Sequence, residues 1–250
     1  CSATNTETPA DVVSDDVQSV DTEDAKSPDE VSQPADFGQA EDISQSGSNA
    51  FGLVTEACST LADTALADSP SFVVNEFQFT GEAFDSSKLS ADSSALFDAP
   101  NAGGSSKCSE VFSLELWRTC AGAVLHQGET EIVYSQAGAM TDYTVTIDEQ
   151  VIGVSVTRAY LGPTNMNYTT EAADSLLTKK LNAINESSAN VAPESAWEKQ
   201  VLHIWTLHKD WSDVVYASWS QLDKALIANT TVVVTVESGS EFVVTDSCDD

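Results

Sequence analysis

Apolar and polar positions alternate twice along residues 141–159, TDYTVTIDEQVIGVSVTRA, with a polar break between the two runs. Side chains on a strand face opposite ways in turn, so Tyr143, Val145 and Ile147 share one face, and Asp142, Thr144 and Thr146 share the other. Asp148-Glu149-Gln150 reads as the turn. On the returning strand Ile152, Val154 and Val156 form an apolar row, and Gly153, Ser155 and Thr157 form the row opposite. The same periodicities predict a helix over 51–67, a strand over 71–80 and a Gly/Ser-rich break over 100–106. A helix over 106–121 follows, apolar on most sides and therefore buried. Strands are then expected at 129–134, 142–147 and 151–157, and a helix from a hydroxyl cap at Thr169 to about Ser187. A buried strand at 200–207, a helix at 211–228 and a last strand at 230–237 complete the order αβββαβαβ.

Composition changes this picture at the N-terminus. The chain has 250 residues, and its first fifty hold twelve acids against the single Lys26, among many Ser, Thr, Gln and Pro. Such a segment repels itself and has little to bury, so residues 1–48 are expected to form a disordered acidic tether. An N-terminal extension over 49–104 and an α/β core over 105–250 are expected to follow, as roughly one domain. The remaining chain carries 28 acids and nine bases, giving a net charge of −30 overall. That excess disfavours broad phosphate-backbone binding, which draws its affinity from Lys and Arg. It equally suits a protein working in high salt, where self-repulsion is screened.

The five cysteines bear on location. Cys1 stands before a polar acidic stretch, as in a lipid-modified bacterial lipoprotein, and this reading puts the chain in the cell envelope or outside the cell. Cys58, Cys108, Cys120 and Cys248 then remain, an even number compatible with two disulfides in an oxidising compartment. Cys108 and Cys120 fall on one predicted helix, about 18 Å apart at 1.5 Å per residue, too far to pair with each other. Sequons occur at Asn167-Tyr168-Thr169, Asn185-Glu186-Ser187 and Asn229-Thr230-Thr231, and matter for a secreted eukaryotic protein.

The hairpin spacing carries the candidate chemistry. An Asp opening one strand, a short turn, and an acid-x-Lys on the next strand before a basic residue is the pattern of the PD-(D/E)XK nuclease superfamily, which residues 105–237 resemble. Here Asp142 stands at the Asp position, Ser155-Val156-Thr157 at acid-x-Lys, and Arg158 follows. The segments SEVFSLE, ETEIVY, TDY, GVSVTRA, KKL, KQVLHIW and NTTVVVTV also resemble a divergent, uncharacterised family. The resemblance implies a restriction-endonuclease-like core, a Mg²⁺ site on Asp142 and on Glu110 of the first core helix, and phosphodiester chemistry. Ser155 and Thr157 depart from it, because hydroxyls are weak substitutes for a metal-binding carboxylate and a charge-stabilising Lys. A polar-out hairpin on a half-exposed sheet explains the same residues. Glu129 and Glu131, on one face of the strand expected at 129–134, are read as exposed edge residues or as the source of a missing ligand, so an active site would use Glu131 with Asp142 and Glu110.

Lys180 leans about 60° from the centre of the apolar stripe of its predicted helix, toward the sheet. In some superfamily members the catalytic Lys has migrated to this helix, which makes Lys180 the candidate replacement; a Lys snorkelling along an apolar groove is the alternative. Arg158 is expected to pair with Asp142 or Glu110, or to meet an anion, since residues 151–170 contain no acid. His126, His203 and His208 stand near no nucleophile motif, and no GxGxxG, Walker loop or HExxH is present. The expectation is a catalytically silent nuclease-like module acting as a binding or scaffold protein. The alternatives are a divergent Mg²⁺-dependent phosphodiesterase and an envelope or secreted binding lipoprotein unrelated to nucleic acid.

Overall fold

Eight strands form one mixed sheet in the computed structural model, which describes residues 46–81, 83–100 and 106–248. The expected tether and Cys1 lie outside the described residues. The strands are β1 Gly47–Asn49, β2 Gly52–Thr55, β3 Phe72–Phe79, β4 Val124–Gly128, β5 Tyr143–Ile147, β6 Gln150–Arg158, β7 Lys199–Thr206 and β8 Thr230–Ser238. Across the sheet they run β1-β2-β3-β8-β7-β6-β5-β4. The middle four, β3, β8, β7 and β6, are mutually parallel, and the pairs outside them are antiparallel. Parallel strands buried on both faces need near-continuous apolar runs. VLHIWT in β7 and TTVVVTV in β8 supply them.

Helices cover both faces. On one side lie α1 Leu61–Leu66, α2 Ala91–Asp98, α3 Lys107–Ala121 and α7 Phe242–Thr245, packed on Tyr143, Val145, Ile152, Val154, Val201 and Val233. On the other lie α4 Thr170–Asn190, α5 Lys209–Trp219 and α6 Lys224–Ile227, whose Leu177, Leu181, Ile184 and Val215 meet Leu202, Ile204, Val232 and Val234. Two disulfides fix α3 at both ends: Cys58–Cys120 ties its C-terminal turn to the short helical turn before α1, and Cys108–Cys248 ties its first turn to the segment after α7.

The hairpin alternation holds, with a two-residue turn at Asp148 and Glu149, both at positive φ, as a type I′ hairpin requires. Three expected elements differ. Residues 51–67 are not one helix: Gly52–Thr55 pairs with β3 so closely that a Cβ on Gly52 would sit 2.0 Å from the Gln78 carbonyl oxygen. The helix expected at 211–228 is interrupted, because the Asp223 carboxylate accepts the Ala225 N–H and starts α6 afresh. The first meander strand is Val124–Gly128, not 129–134. There the Glu131 carboxylate accepts the Gly128 N–H at 2.8 Å and closes a turn, the Ser135 N–H donates to the Asn190 carbonyl at the end of α4, and the Val133 carbonyl accepts the Ala192 N–H just after it.

The disulfides close loops of 62 and 140 residues, and restricting the unfolded chain in this way contributes about 4 kcal/mol each. The Cys58→Ser/Cys120→Ser variant is therefore expected to lose 3–4 kcal/mol, by about the same estimate, in urea unfolding. A loss below about 1 kcal/mol would show that α3 is held by packing alone.

Candidate functional site

The candidate site is a fork where β5 leaves β6. In the hairpin register Tyr143 faces Val154, so the next bonded pair would join Thr141 to Val156. That pair does not form: the Thr141 N–H goes instead to the Tyr134 hydroxyl at 2.8 Å. The Val156 peptide needs other partners, since buried backbone groups are rarely left unpaired. Asp142 Oδ2 accepts its N–H at 2.5 Å, and Lys180 Nζ, reaching over from α4, donates to its carbonyl at 2.9 Å. Two of the sequence candidates thus converge on the backbone of one residue.

Glu110 joins them from the first turn of α3, its carboxylate accepting from the Ser106 hydroxyl. Burial is the main cause that pushes the Glu110 carboxyl up to about 7, and the neighbouring Asp142 charge adds to it. Burial also pushes Asp142 up, to about 6, while Lys180 and the Val156 N–H pull it down. Burial thus favours the neutral form of both carboxyls, and the Lys180 charge works against it at Asp142. Glu129, just past β4, raises both. It is the acid that sequence reasoning connected to the wrong strand, and only the true position of β4 brings it to the fork.

The other candidates go elsewhere. Ser155 and Thr157 share a face, as expected, but α4 covers it: Ser155 lies opposite Leu202, Thr157 lies opposite Ile204, and Ser155 is only 5% exposed. The half-exposed, polar-out hairpin is corrected accordingly. Gly153, in the same row, has no room for a Cβ, which would lie 2.9 Å from the Gln200 side chain that is hydrogen-bonded to Ser188 of α4. Glu131 is taken up by its turn and does not join Asp142 and Glu110. Arg158 meets neither of those acids: its guanidinium donates to the Val244 carbonyl at 3.3 Å and lies 3.9 Å from Asp246. Asp246 in turn accepts the Cys108 N–H at the start of α3, so Arg158 helps hold the C-terminal segment.

Behind the fork runs a buried polar chain. Thr235 donates to Asn75 Oδ1 at 2.6 Å, which leaves its oxygen to accept from His203 Nε2 at 2.7 Å. His203 Nδ1 then accepts from Ser113 at 2.6 Å, and Ser113 accepts from the Tyr143 hydroxyl at 2.6 Å. Burial holds His203 far below its usual value, at about 3, so it is neutral. With His203 and Ser113 both fully buried, the contact has no access for a substrate, and it orders the core.

The oxygen donors of Asp142 and Glu110 are of the type a hard divalent ion takes. However, among the described residues no three His, Cys, Asp or Glu side chains are spaced to hold a metal ion. A small hollow lined by Phe51, Phe79, Lys88 and Phe242 lies in the aromatic cluster and contains none of the candidate groups.

No family model and no solved structure matches the chain. It is 37% identical over 162 residues to the AAC-rich mRNA clone AAC4 protein of Dictyostelium discoideum. That alignment covers 62% of this chain and 24% of the relative, so the chain spans about a quarter of the protein it matches.

Two outcomes follow from the fork. The raised Glu110 pKa means that the folded state holds a proton the unfolded state releases, so its stabilisation is complete below about 4.5 and lost as pH rises through about 7. Glu110→Gln is expected to remove that loss and to be more stable than the parent at pH 8, by on the order of 2 kcal/mol in urea unfolding. Equal slopes of stability against pH in the two proteins would overturn the assignment. Ser155→Glu/Thr157→Lys, which would rebuild acid-x-Lys, places a carboxylate beneath α4. It is expected to cost at least about 3 kcal/mol, and a double variant with parental melting behaviour would show that this face is open.

Proposed function

We propose that this chain is a nuclease-like α/β module that does not cleave phosphodiesters and acts as a binding or scaffold protein. Support for the restriction-endonuclease-like reading comes from the run β4, β5, β6, β7, β8, which are neighbours in sequence order with β5 opposed to the rest, following α3 and with α4 crossing from β6 to β7. The observation that carries the silent reading is the Val156 peptide. Asp142 and Lys180, the residues best placed for catalysis, both hold it, and the acid-x-Lys positions present two hydroxyls toward α4. Glu110, protonated near neutrality, is a poor ligand until it loses that proton.

The divergent phosphodiesterase is the second reading, favoured by one specific observation: the buried carboxyls of Glu110 and Asp142 are both shifted upward, the charge of Glu129 adds to each, and Lys180 acts on Asp142. Perturbed groups gathered in this way are a recognised mark of functional sites. In that reading Asp142 and Glu110 would hold Mg²⁺, which would supply Lewis-acid stabilisation of the phosphoryl oxygens, and Lys180 would orient the phosphate. For location we propose an oxidising compartment, the cell envelope or the exterior, on the support of the two disulfides. Among the described residues no helix is long and apolar enough to cross a membrane.

Calorimetric titration with Mn²⁺, run beside a plasmid-nicking assay in Mg²⁺, separates the two readings. The silent module is expected to give no saturable heat at submillimolar Mn²⁺ and no nicking. Saturable binding lost in Asp142→Asn, together with nicking lost in Lys180→Ala, would establish the enzyme instead.

A further inference from the structure

We propose that Asn167 carries an N-linked oligosaccharide and that Asn185, in an equally good sequon, does not. The inference rests on the oxidising-compartment reading above and takes it further, to one modified atom. The three sequons are alike in sequence and differ in what the fold does with the amide. Asn185 lies in the middle of α4, and its Nδ2 donates to the Leu226 carbonyl at 2.9 Å, joining α4 to α6. The Ser187 of that sequon is fully buried and bonds to Thr141 and to the Ile184 carbonyl. A glycan on Asn185 would have to occupy the seam between α4 and α6, so a molecule that carried it could not close that seam. Asn229 is exposed before β8, but its Nδ2 already donates to the Glu198 carbonyl at 3.2 Å.

Asn167 sits differently. It is exposed on the non-helical segment between β6 and α4, directly before the α4 cap. The next residue, Tyr168, is buried and stacks on Trp211 with centroids 5.5 Å apart, while Thr169 caps α4 by accepting the Ala172 N–H. The sequon is therefore anchored through its second and third residues, and alternation along the extended chain turns the first outward. A second, independent observation lies in the same loop. Leu161 and Met166 are 42% and 63% exposed, in a stretch of the chain with no acid, in a protein whose net charge is −30. A hydrated oligosaccharide one residue from Met166 would shield that apolar surface, where charge does not.

The step is a glycosyl transfer from a polyprenyl-diphosphate-linked oligosaccharide. Asn167 Nδ2 attacks the anomeric carbon and a C–N bond forms. The bond from that carbon to the diphosphate oxygen breaks, one amide proton is lost to base, and the polyprenyl diphosphate leaves.

Mass spectrometry of the protein purified from the cells that make it tests this, with free thiols alkylated before reduction. Glycosidase release in ¹⁸O water is expected to convert Asn167 to labelled Asp and to leave Asn185 unlabelled, with all four cysteines protected from alkylation. Protected cysteines with a bare Asn167 would overturn the inference and leave the compartment reading standing. Alkylated cysteines would overturn the compartment and the inference with it. A glycan on Asn185 in folded protein would overturn the argument from the helix seam. Asn167→Gln, made in the same cells, is expected to lose one glycan's shift on a gel with unchanged melting, and to aggregate more readily. A variant that keeps the shift would place the sugar elsewhere and overturn the assignment.

Discussion

The backbone N–H and carbonyl of Val156 are the constraint around which the fork is arranged. Where β5 departs from β6, an N–H and a carbonyl are left without a strand, in a place from which water is largely excluded. An unpaired group there costs roughly 1–3 kcal/mol, so the fold must supply partners. Asp142 and Lys180 supply one each. Their charges then offset each other, which a buried carboxylate requires if it is to stay ionised. Burial holds the next acid in line, Glu110, toward its protonated form, against the pull of Lys107. Burial at the fork dominates the protonation of these acids, and the missed strand pair is what draws Asp142 and Lys180 into it.

The same economy of hydrogen bonding explains the interior behind it. Tyr143, Ser113, His203, Thr235 and Asn75 form a chain whose bond directions follow from the Thr235 hydroxyl giving its hydrogen to Asn75 Oδ1, while the Asn75 Nδ2 group stays buried without an acceptor. That fixes the His203 tautomer with its proton on Nε2. A Ser and a His at 2.6 Å resemble catalytic partners when viewed alone, but with both at zero exposure beside a neutral imidazole they register α3 against β7 and β8. Buried hydrogen bonds of this kind order the core around them.

The sheet and the fork were partly legible in the sequence, for reasons particular residues make plain. The two rows of the hairpin were readable because strict alternation leaves one solution. Lys180 was readable because its angle on the α4 stripe points it at the sheet. β4 was not: VLHQG carries His and Gln in a short edge strand, whereas ETEIVY alternates more cleanly and yet closes a turn on the Glu131 carboxylate. With β4 displaced, Glu129 could not be connected to Asp142. The burial of Ser155 was equally hidden, since period two says which residues share a face and says nothing about whether a helix lands on it. Arg158 went astray for a tertiary reason as well, because its partners come from residues 244 and 246, some eighty positions away.

Any activity proposed for the fork meets one physical obstacle. A divalent ion arriving at Asp142 must displace the Lys180 ammonium or share the carboxylate with it, and must also take the proton from Glu110. Both steps cost free energy in a low-dielectric site, and the cost is insensitive to bulk salt because the groups are buried. The rest of the molecule behaves oppositely: with a net charge of −30, its surface acids repel one another, and added salt relieves that repulsion. Salt therefore stabilises the whole protein without opening the fork. What opens it is withdrawal of Lys180 from the Val156 carbonyl together with loss of the Glu110 proton, two side-chain events that leave the sheet intact.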